Sequence, residues 1–267
     1  MTTDCAQAWY VYSVLAGAER APAGDGVLPG AALEAIHFEQ ITVLASLVPR
    51  GLFDSDSTAN RTADPAWMAA RIEAHHAVNV AASETGACLP LAFGALFSSL
   101  DLLQQWLGPR AERLRTALGR VAGQTEWALS MQEDTAAHGA WLDREDPALN
   151  RLSQAVAAAG EGTAFLLARR LEKARAVARL GHIDTAAANI AVRLADARFG
   201  VLEEPPKGGL PGWSLLVARS HAPDALSEQV RMLAADLESA GLSLRLTGPW
   251  PAYAFARAAL AQEVVNG

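Results

Sequence analysis

Six histidines, two cysteines and 29 carboxylates are the side chains of this 267-residue chain best suited to acid–base, nucleophilic or metal chemistry. His75 and His76 form the only adjacent histidine pair. Neighbours on a helix point about 100° apart, whereas a metal-binding helix sets two ligands four residues apart, usually as HExxH. The pair therefore reads as two helix-surface histidines held by Arg71 or Glu73. His37, His138, His182 and His221 come with no GxSxG elbow, and a triad cannot be assigned from order alone. Cys5 and Cys88 lack a CxxC or Cys/His companion, which argues against a disulfide framework or a zinc site and for a reducing compartment. Gly24-Asp25-Gly26 lacks the third glycine of a dinucleotide loop. Gly160-Glu161-Gly162-Thr163 has no lysine to complete a phosphate cradle, and Lys207-Gly208-Gly209 reads as a turn. Glu203-Glu204 and Asp143/Glu145-Asp146 sit in polar contexts as solvated charge. Asn60-Arg61-Thr62 matches a glycosylation sequon, without consequence for a cytoplasmic chain. No catalytic, cofactor-binding or metal residue is predicted.

Two other segments are unusual in composition. Leu89-Pro90-Leu91-Ala92-Phe93-Gly94-Ala95-Leu96-Phe97 puts proline and glycine into a core-like strand. Thr247-Gly248-Pro249-Trp250-Pro251-Ala252-Tyr253-Ala254-Phe255 sets two prolines around a tryptophan, then adds tyrosine and phenylalanine. One reading makes Pro249 and Pro251 stiffeners of a corner whose Trp250 plugs the core edge. The other is a preformed aromatic surface, because aromatic anchors on rigid backbone suit a protein interface. On that second reading the candidate partner-binding residues are Leu89, Pro90, Phe93, Gly94, Thr247, Gly248, Pro249, Trp250, Pro251, Tyr253 and Phe255.

The elements that must position these segments follow from patterning. Trp9–Leu15 suits a central strand. Ala21–Gly30 is a glycine- and proline-rich loop, and Leu33–Phe38 with Ile41–Val48 reads as a hairpin turning at Glu39-Gln40. Gly51–Thr62 is polar and turn-rich. Asp64-Pro65 opens a helix to about Ser83. Cys88–Phe97, with Pro90 inside it, is an edge strand or a strand followed by a bulge. Ser98 or Ser99 caps the next helix, which Gly108-Pro109 interrupts before it resumes to about Leu118. Gly119–Gly123 marks a boundary before the strand Thr125–Met131. Asp146-Pro147 opens a helical region with breaks at Gly160–Gly162 and near Gly181, reaching about Phe199. Pro205–Gly209 reads as a loop, Trp213–Ala218 as a strand and Pro223–Ala240 as a helix with Gly241 at its C′ position. Leu242–Leu246 alternates as a half-buried strand does. The fold class is α+β in two domains. Residues 1–122 hold a small sheet with covering helices, and residues 123–267 a ferredoxin-like arrangement with extra helices and an aromatic tail.

Composition narrows the functional classes. Lysine and arginine number 22 against 29 acidic residues, for a net charge of −7. Charged residues are 19% and hydrophobic residues 51%, with a mean hydropathy of +0.12. Such a chain can bury a sizeable core, and its dispersed arginines lack the basic face that nucleic acid requires. Thr85–Leu100 is the longest uncharged stretch, too short and too broken to span a membrane. Trp9–Ala18 resembles a signal h-region but lacks a positive n-region, so a cytoplasmic location is expected.

At these two segments the sequence resembles the gas vesicle synthesis protein GvpF/GvpL family. The C-terminal LTGPWPAYAF is similar to that family's Leu-Thr-Gly-Pro-Trp-Pro-Pro-Tyr-Ser-Phe, with Ala252 and Ala254 as replacements. LPLAFGALF resembles its Leu-Pro-Phe-Arg-Phe-Gly-Thr-Val-Phe, with Ala92 in place of the arginine. Tyr10–Val14, Ile41–Pro49, the helix carrying Arg71 and His75, Glu126-Trp127 and Ala164–Arg170 fall in the family's order. The resemblance implies a non-enzymatic accessory or minor structural protein of gas vesicles, located at the vesicle in the cytoplasm. It further implies an N-terminal α+β domain, a modified ferredoxin-like C-terminal domain, and contact with the small hydrophobic shell protein and other accessory proteins during assembly. The alternative is a small-molecule-binding regulatory protein built on ferredoxin-like domains; an unrecognised hydrolase would need His75 or His76 beside a nucleophile.

Overall fold

The computed structural model describes residues 7–17, 21–53, 64–197, 199–221 and 223–261. Cys5, Ala18, Arg20 and the Asn60-Arg61-Thr62 sequon lie outside them, as does most of the expected Gly51–Thr62 loop. The chain divides into two compact units, one of residues 1–126 with 249–267 and the other of residues 127–248.

In the first unit, β1 (Gln7–Ala16), β2 (Glu34–Phe38), β3 (Ile41–Pro49), β4 (Cys88–Pro90) and β5 (Leu96–Phe97) form one sheet. Its order is β2-β3-β1-β4, and β5 also pairs with β1. The aromatic and β-branched run of β1 is buried along nearly its whole length, as a central strand requires. The β2–β3 hairpin turns at Glu39-Gln40, pairing Phe38 with Ile41. Glu39 takes φ +51° there, a left-handed backbone that usually calls for Gly or Asn. α1 (Pro65–Thr85) starts on Asp64, whose side chain accepts from the Ala66 amide at 3.0 Å. Ser99 accepts from Leu102 N to open α2 (Leu100–Leu107), and the Gly108–Arg110 turn leads into α3 (Ala111–Val121). Leu103, Leu107, Ala111, Leu114, Leu118 and Val121 form one buried stripe through that break. α3 packs on β1 and β4.

One core cluster of this unit gathers Tyr10, Tyr12, Leu44, Val48, Val78 and Cys88 beneath the 21–33 loop. The Val27 amide donates to the Tyr12 hydroxyl at 2.6 Å, which in turn donates to Ser46 Oγ at 3.0 Å. Gly26 lets the loop come this close, because a Cβ there would overlap both hydroxyl oxygens.

The second unit is built on β6 (Gln124–Glu133), β7 (Gly200–Lys207), β8 (Leu210–Ala218) and β9 (Leu242–Trp250), in the order β7-β8-β6-β9, with residues 124–126 of β6 and 249–250 of β9 grouped with the first unit. Between them lie α4 (Thr135–Glu145), α5 (Pro147–Ala158), α6 (Glu161–Asp196) and α7 (Pro223–Glu238). With the three consecutive helices standing in for one, this is the βαββαβ succession of a ferredoxin-like unit. Its core joins Leu129 and Met131 of β6, Trp213, Leu215 and Val217 of β8, and the inner faces of α6 and α7. A smaller cluster of Leu142, Leu149 and Leu171 binds α4 and α5 to α6.

Three expectations need correction, and one helix stands where none is predicted. Pro205-Pro206 is not loop but part of β7, an edge strand where missing amide protons cost nothing in the ladder. The turn is only Gly208-Gly209, at φ +62° and +79°. α4 is the helix without a predicted counterpart, and Asp134 caps it by accepting from Ala136 N and Ala137 N. α6 runs unbroken through Gly181 for 36 residues. Finally, the aromatic tail does not belong with residues 123–248, because residues 249–267 return to the first unit as α8 (Tyr253–Ala261).

Candidate functional site

Tracing the candidate residues into the fold separates them into core and surface. Leu89 and Pro90 are buried on β4 opposite Val14 and Ser13, so neither side chain is open to a partner. The core reading of these two residues is the one the geometry fits. The Leu91 amide continues the ladder by donating to Tyr12 O at 2.8 Å. Ala92–Ala95 is then a turn closed by Ala95 N donating to Ala92 O, with Gly94 at φ +86° in the position that demands it. Phe93 turns inward, its ring 5.7 Å from His75 and 6.1 Å from Tyr10. The Gly94 amide donates to the Tyr10 hydroxyl at 3.2 Å. This segment is therefore a fold element in which Leu89–Leu91 are buried, Phe93 and residues 95–97 are half-buried, and Ala92 and Gly94 are exposed.

The tail behaves differently. Thr247 and Gly248 stand half-buried on β9 in the second unit. Pro249 is exposed, Trp250 is 39% exposed, and Pro251 and Ala252 are buried. Trp250 is thus not a core plug. Prolines on both sides restrict its backbone to an extended conformation. The ring lies 5.5 Å from His76, and His76 stacks on Tyr253 with centroids 6.0 Å apart. His76 Nδ1 and the Tyr253 hydroxyl are 3.0 Å apart, and burial pushes the Tyr253 phenol up to about 12. Ile72, 49% exposed, lies one turn before His76 on the same face of α1. Ile72, His76, Pro249, Trp250 and Tyr253 thus form an aromatic corner on the first unit.

Glu126 holds that corner in place. α8 begins after Ala252, which has no side chain able to cap it. Instead, buried Glu126 of β6 accepts from Ala254 N at 2.8 Å and Phe255 N at 3.5 Å. A carboxylate at a helix N-terminus satisfies orphan amides and complements the dipole. In the sequence, Glu126-Trp127 stands out only through the family resemblance. The available signal was a charged residue inside an apolar strand.

The histidine pair is not held by Arg71 or Glu73. His75 Nδ1 lies 2.9 Å from the Tyr10 hydroxyl and Nε2 lies 3.0 Å from Asn79 Nδ2. Burial drives its pKa down to about 4. A second histidine pair lies in the second unit. There His138 Nδ1 is 2.6 Å from Glu133 Oε1, and its Nε2 is 2.9 Å from His182 Nδ1. Arg179 grips Glu133 through both carboxylate oxygens, holding that carboxyl below its usual range. Burial lowers the His182 pKa, and His138 lowers it further. Among the described residues, no group of three or more His, Cys, Asp or Glu is arranged to hold a metal ion.

Buried neutral imidazoles make stability acid-sensitive. A histidine whose folded pKa lies below its unfolded value contributes fully above about pH 6.5, and that contribution is lost as pH falls toward the folded pKa. For His75 alone, unfolding free energy should drop by about 2 kcal/mol between pH 7 and pH 4.5. Denaturant melts across that window check this; a flat profile contradicts it. Glu133, with a depressed carboxyl, should lose its contribution only at still lower pH.

The comparisons with known proteins agree with this architecture. The profile of the gas vesicle synthesis protein GvpL/GvpF family matches residues 8–257. Gas vesicle protein L of a Streptomyces species is 29% identical, with all of this chain and 97% of that protein aligned. Gas vesicle protein L2 of Halobacterium salinarum is 29% identical over 64% of each chain. The crystal structure of GvpF from Anabaena superposes with a TM-score of 0.73 at 17% identity, covering 94% of this chain and 98% of that one. GvpF from Microcystis aeruginosa gives 0.65 at 17% identity, over 93% and 98%. These two crystal structures establish likeness of fold alone. Matched by the family profile from the first strand to the last helix, this chain belongs to the gas vesicle synthesis protein GvpL/GvpF family.

Proposed function

We propose that the chain is a non-enzymatic accessory protein of gas vesicles that binds the small hydrophobic shell protein and supports vesicle assembly. Family membership supports the vesicle association. The observation that carries the binding claim is Trp250, half in and half out of the fold between two prolines, with Ile72 and His76 extending its apolar surface. Large aromatic anchors on backbone that is already rigid lose little entropy on docking, and they favour an apolar partner. Among the described residues no helix is long and apolar enough to cross a membrane. The His75 and His76 contacts are with Tyr10, Asn79, Tyr253 and Trp250, an arrangement that holds elements together.

Co-expression of the tagged full chain with the shell protein tests the proposal, with Trp250→Ala and Ile72→Ser as surface variants. Wild type should co-purify the shell protein, and each variant should retain less of it. Because Trp250 is only partly buried, Trp250→Ala should cost about 1–2 kcal/mol of stability, below the roughly 3–5 kcal/mol of a full core truncation. Absence of capture by wild type, together with normal vesicles in a deletion strain, would overturn the proposal.

A further inference from the structure

The outer face of α6 is patterned to pair with itself. Its inner face is committed: Ile183, Ile190 and Leu194 enter the core of the second unit, and Arg175 and Arg179 bind Asp143 and Glu133. The opposite face leaves Leu166, Val177 and Leu180 more than half exposed. Positions 166, 170, 173, 177, 180 and 184 are exposed and spaced alternately by four and three residues, a spacing that two half-buried alanines, Ala187 against the core and Ala191 beyond it, continue. That is a seven-residue repeat, the spacing that keeps one seam facing a partner helix. The seam covers 25 residue steps, about 38 Å at 1.5 Å per residue.

The order of residues along the seam selects the partner. Laid antiparallel about a two-fold midway between positions 177 and 180, two copies of the seam bring Val177 onto Leu180 at the centre. Lys173 then faces Asp184, and Leu166 faces the small Ala191. Each contact occurs twice, as an isologous interface requires. A parallel, in-register pair would instead set Lys173 on Lys173 and Asp184 on Asp184. Lys173 and Asp184 are both exposed, and neither has an ion-pair partner within the chain among the described residues. Charged residues at seam positions weaken a helix pair unless matched, and where matched they fix register and direction. We propose that the α6 outer face is the interface of an antiparallel homodimer, registered by reciprocal Lys173–Asp184 pairs. This inference stands apart from the shell-binding reading, since it uses no residue of the Trp250 corner.

Sedimentation of the full chain over a micromolar range tests it. The chain should dimerise with increasing concentration. Lys173→Asp and Asp184→Lys should each weaken the dimer by at least about tenfold, and the double exchange Lys173→Asp/Asp184→Lys should recover it. Lys173 is one of only two lysines, with Lys207, so a zero-length carbodiimide cross-link between copies should map to Lys173 and Asp184. All substituted side chains are exposed, so a circular-dichroism melt should show unchanged folding. A monomer at every concentration would overturn the proposal. So would a dimer that survives Val177→Asp/Leu180→Asp, or a double exchange that fails to recover association. Capture of another helical protein by a monomeric chain would assign the face to that partner and likewise overturn it.

Discussion

Replacing Gly241 by alanine should destabilise the second unit by about 3–4 kcal/mol, a penalty built from two separable parts. Gly241 follows α7 at φ +70°, and left-handed backbone costs an L-residue roughly 1–2 kcal/mol. The second part is steric. A Cβ at this position would stand 2.6 Å from His138 N and 2.9 Å from Ala137 C, the backbone of the first turn of α4. Backbone cannot rotate aside as a side-chain tip can, and Gly241 O also accepts from Asp134 N at 2.9 Å, so moving the turn breaks a bond. Forced overpacking of this kind costs about 1–3 kcal/mol. Gly208 is the internal control. It has φ +62° and nothing within 4 Å of its would-be Cβ, so Gly208→Ala should show the conformational part alone, about 1 kcal/mol. Denaturant midpoints for the two variants settle it; equal losses would mean that the α7–α4 approach carries no strain.

Glu126→Ala should cost about 3 kcal/mol, because it removes a buried acceptor and leaves the first amides of α8 without a partner. Hydrogen exchange supplies the specific readout, since Ala254 and Phe255 amides should exchange much faster than those of β1. Glu126→Gln keeps an acceptor oxygen and removes the charge, so it should recover more than half of the loss. If the alanine variant melts like wild type with protected α8 amides, Glu126 does not anchor the tail.

Where local chemistry decides an element, it was legible in the sequence. Asp64-Pro65 opens α1, Ser99 caps α2, and α7 stands within the predicted Pro223–Ala240 helix with Gly241 behind it. Elements decided by distant partners were not. Pro205-Pro206 looked like loop because proline weakens a ladder, yet β7 lies on the sheet edge and pairs through Glu203 with Trp213. Gly181 looked like a break because glycine costs a helix about 1 kcal/mol. Ion pairs at Arg175 and Arg179 and the His182–Trp141 stack, 4.4 Å between centroids, hold α6 through it.

The candidate site divided in the same way. Two prolines around Trp250 announced a rigid corner. The alternation that buries Leu89 and Pro90 depends on their register with β1, which no local pattern specifies. The return of the tail to the first unit depends on Glu126, 128 residues from the amide it caps.

The most direct measurement is the affinity of the shell protein for the wild-type chain and for Trp250→Ala, with thermal melts of both. Trp250 as a docking anchor predicts at least about a tenfold loss of affinity, with the variant still folded at the assay temperature. Leu89→Ala should do the reverse, lowering stability by about 2–4 kcal/mol while the folded fraction binds normally. Unchanged affinity of Trp250→Ala would contradict the assignment of this corner to the shell protein.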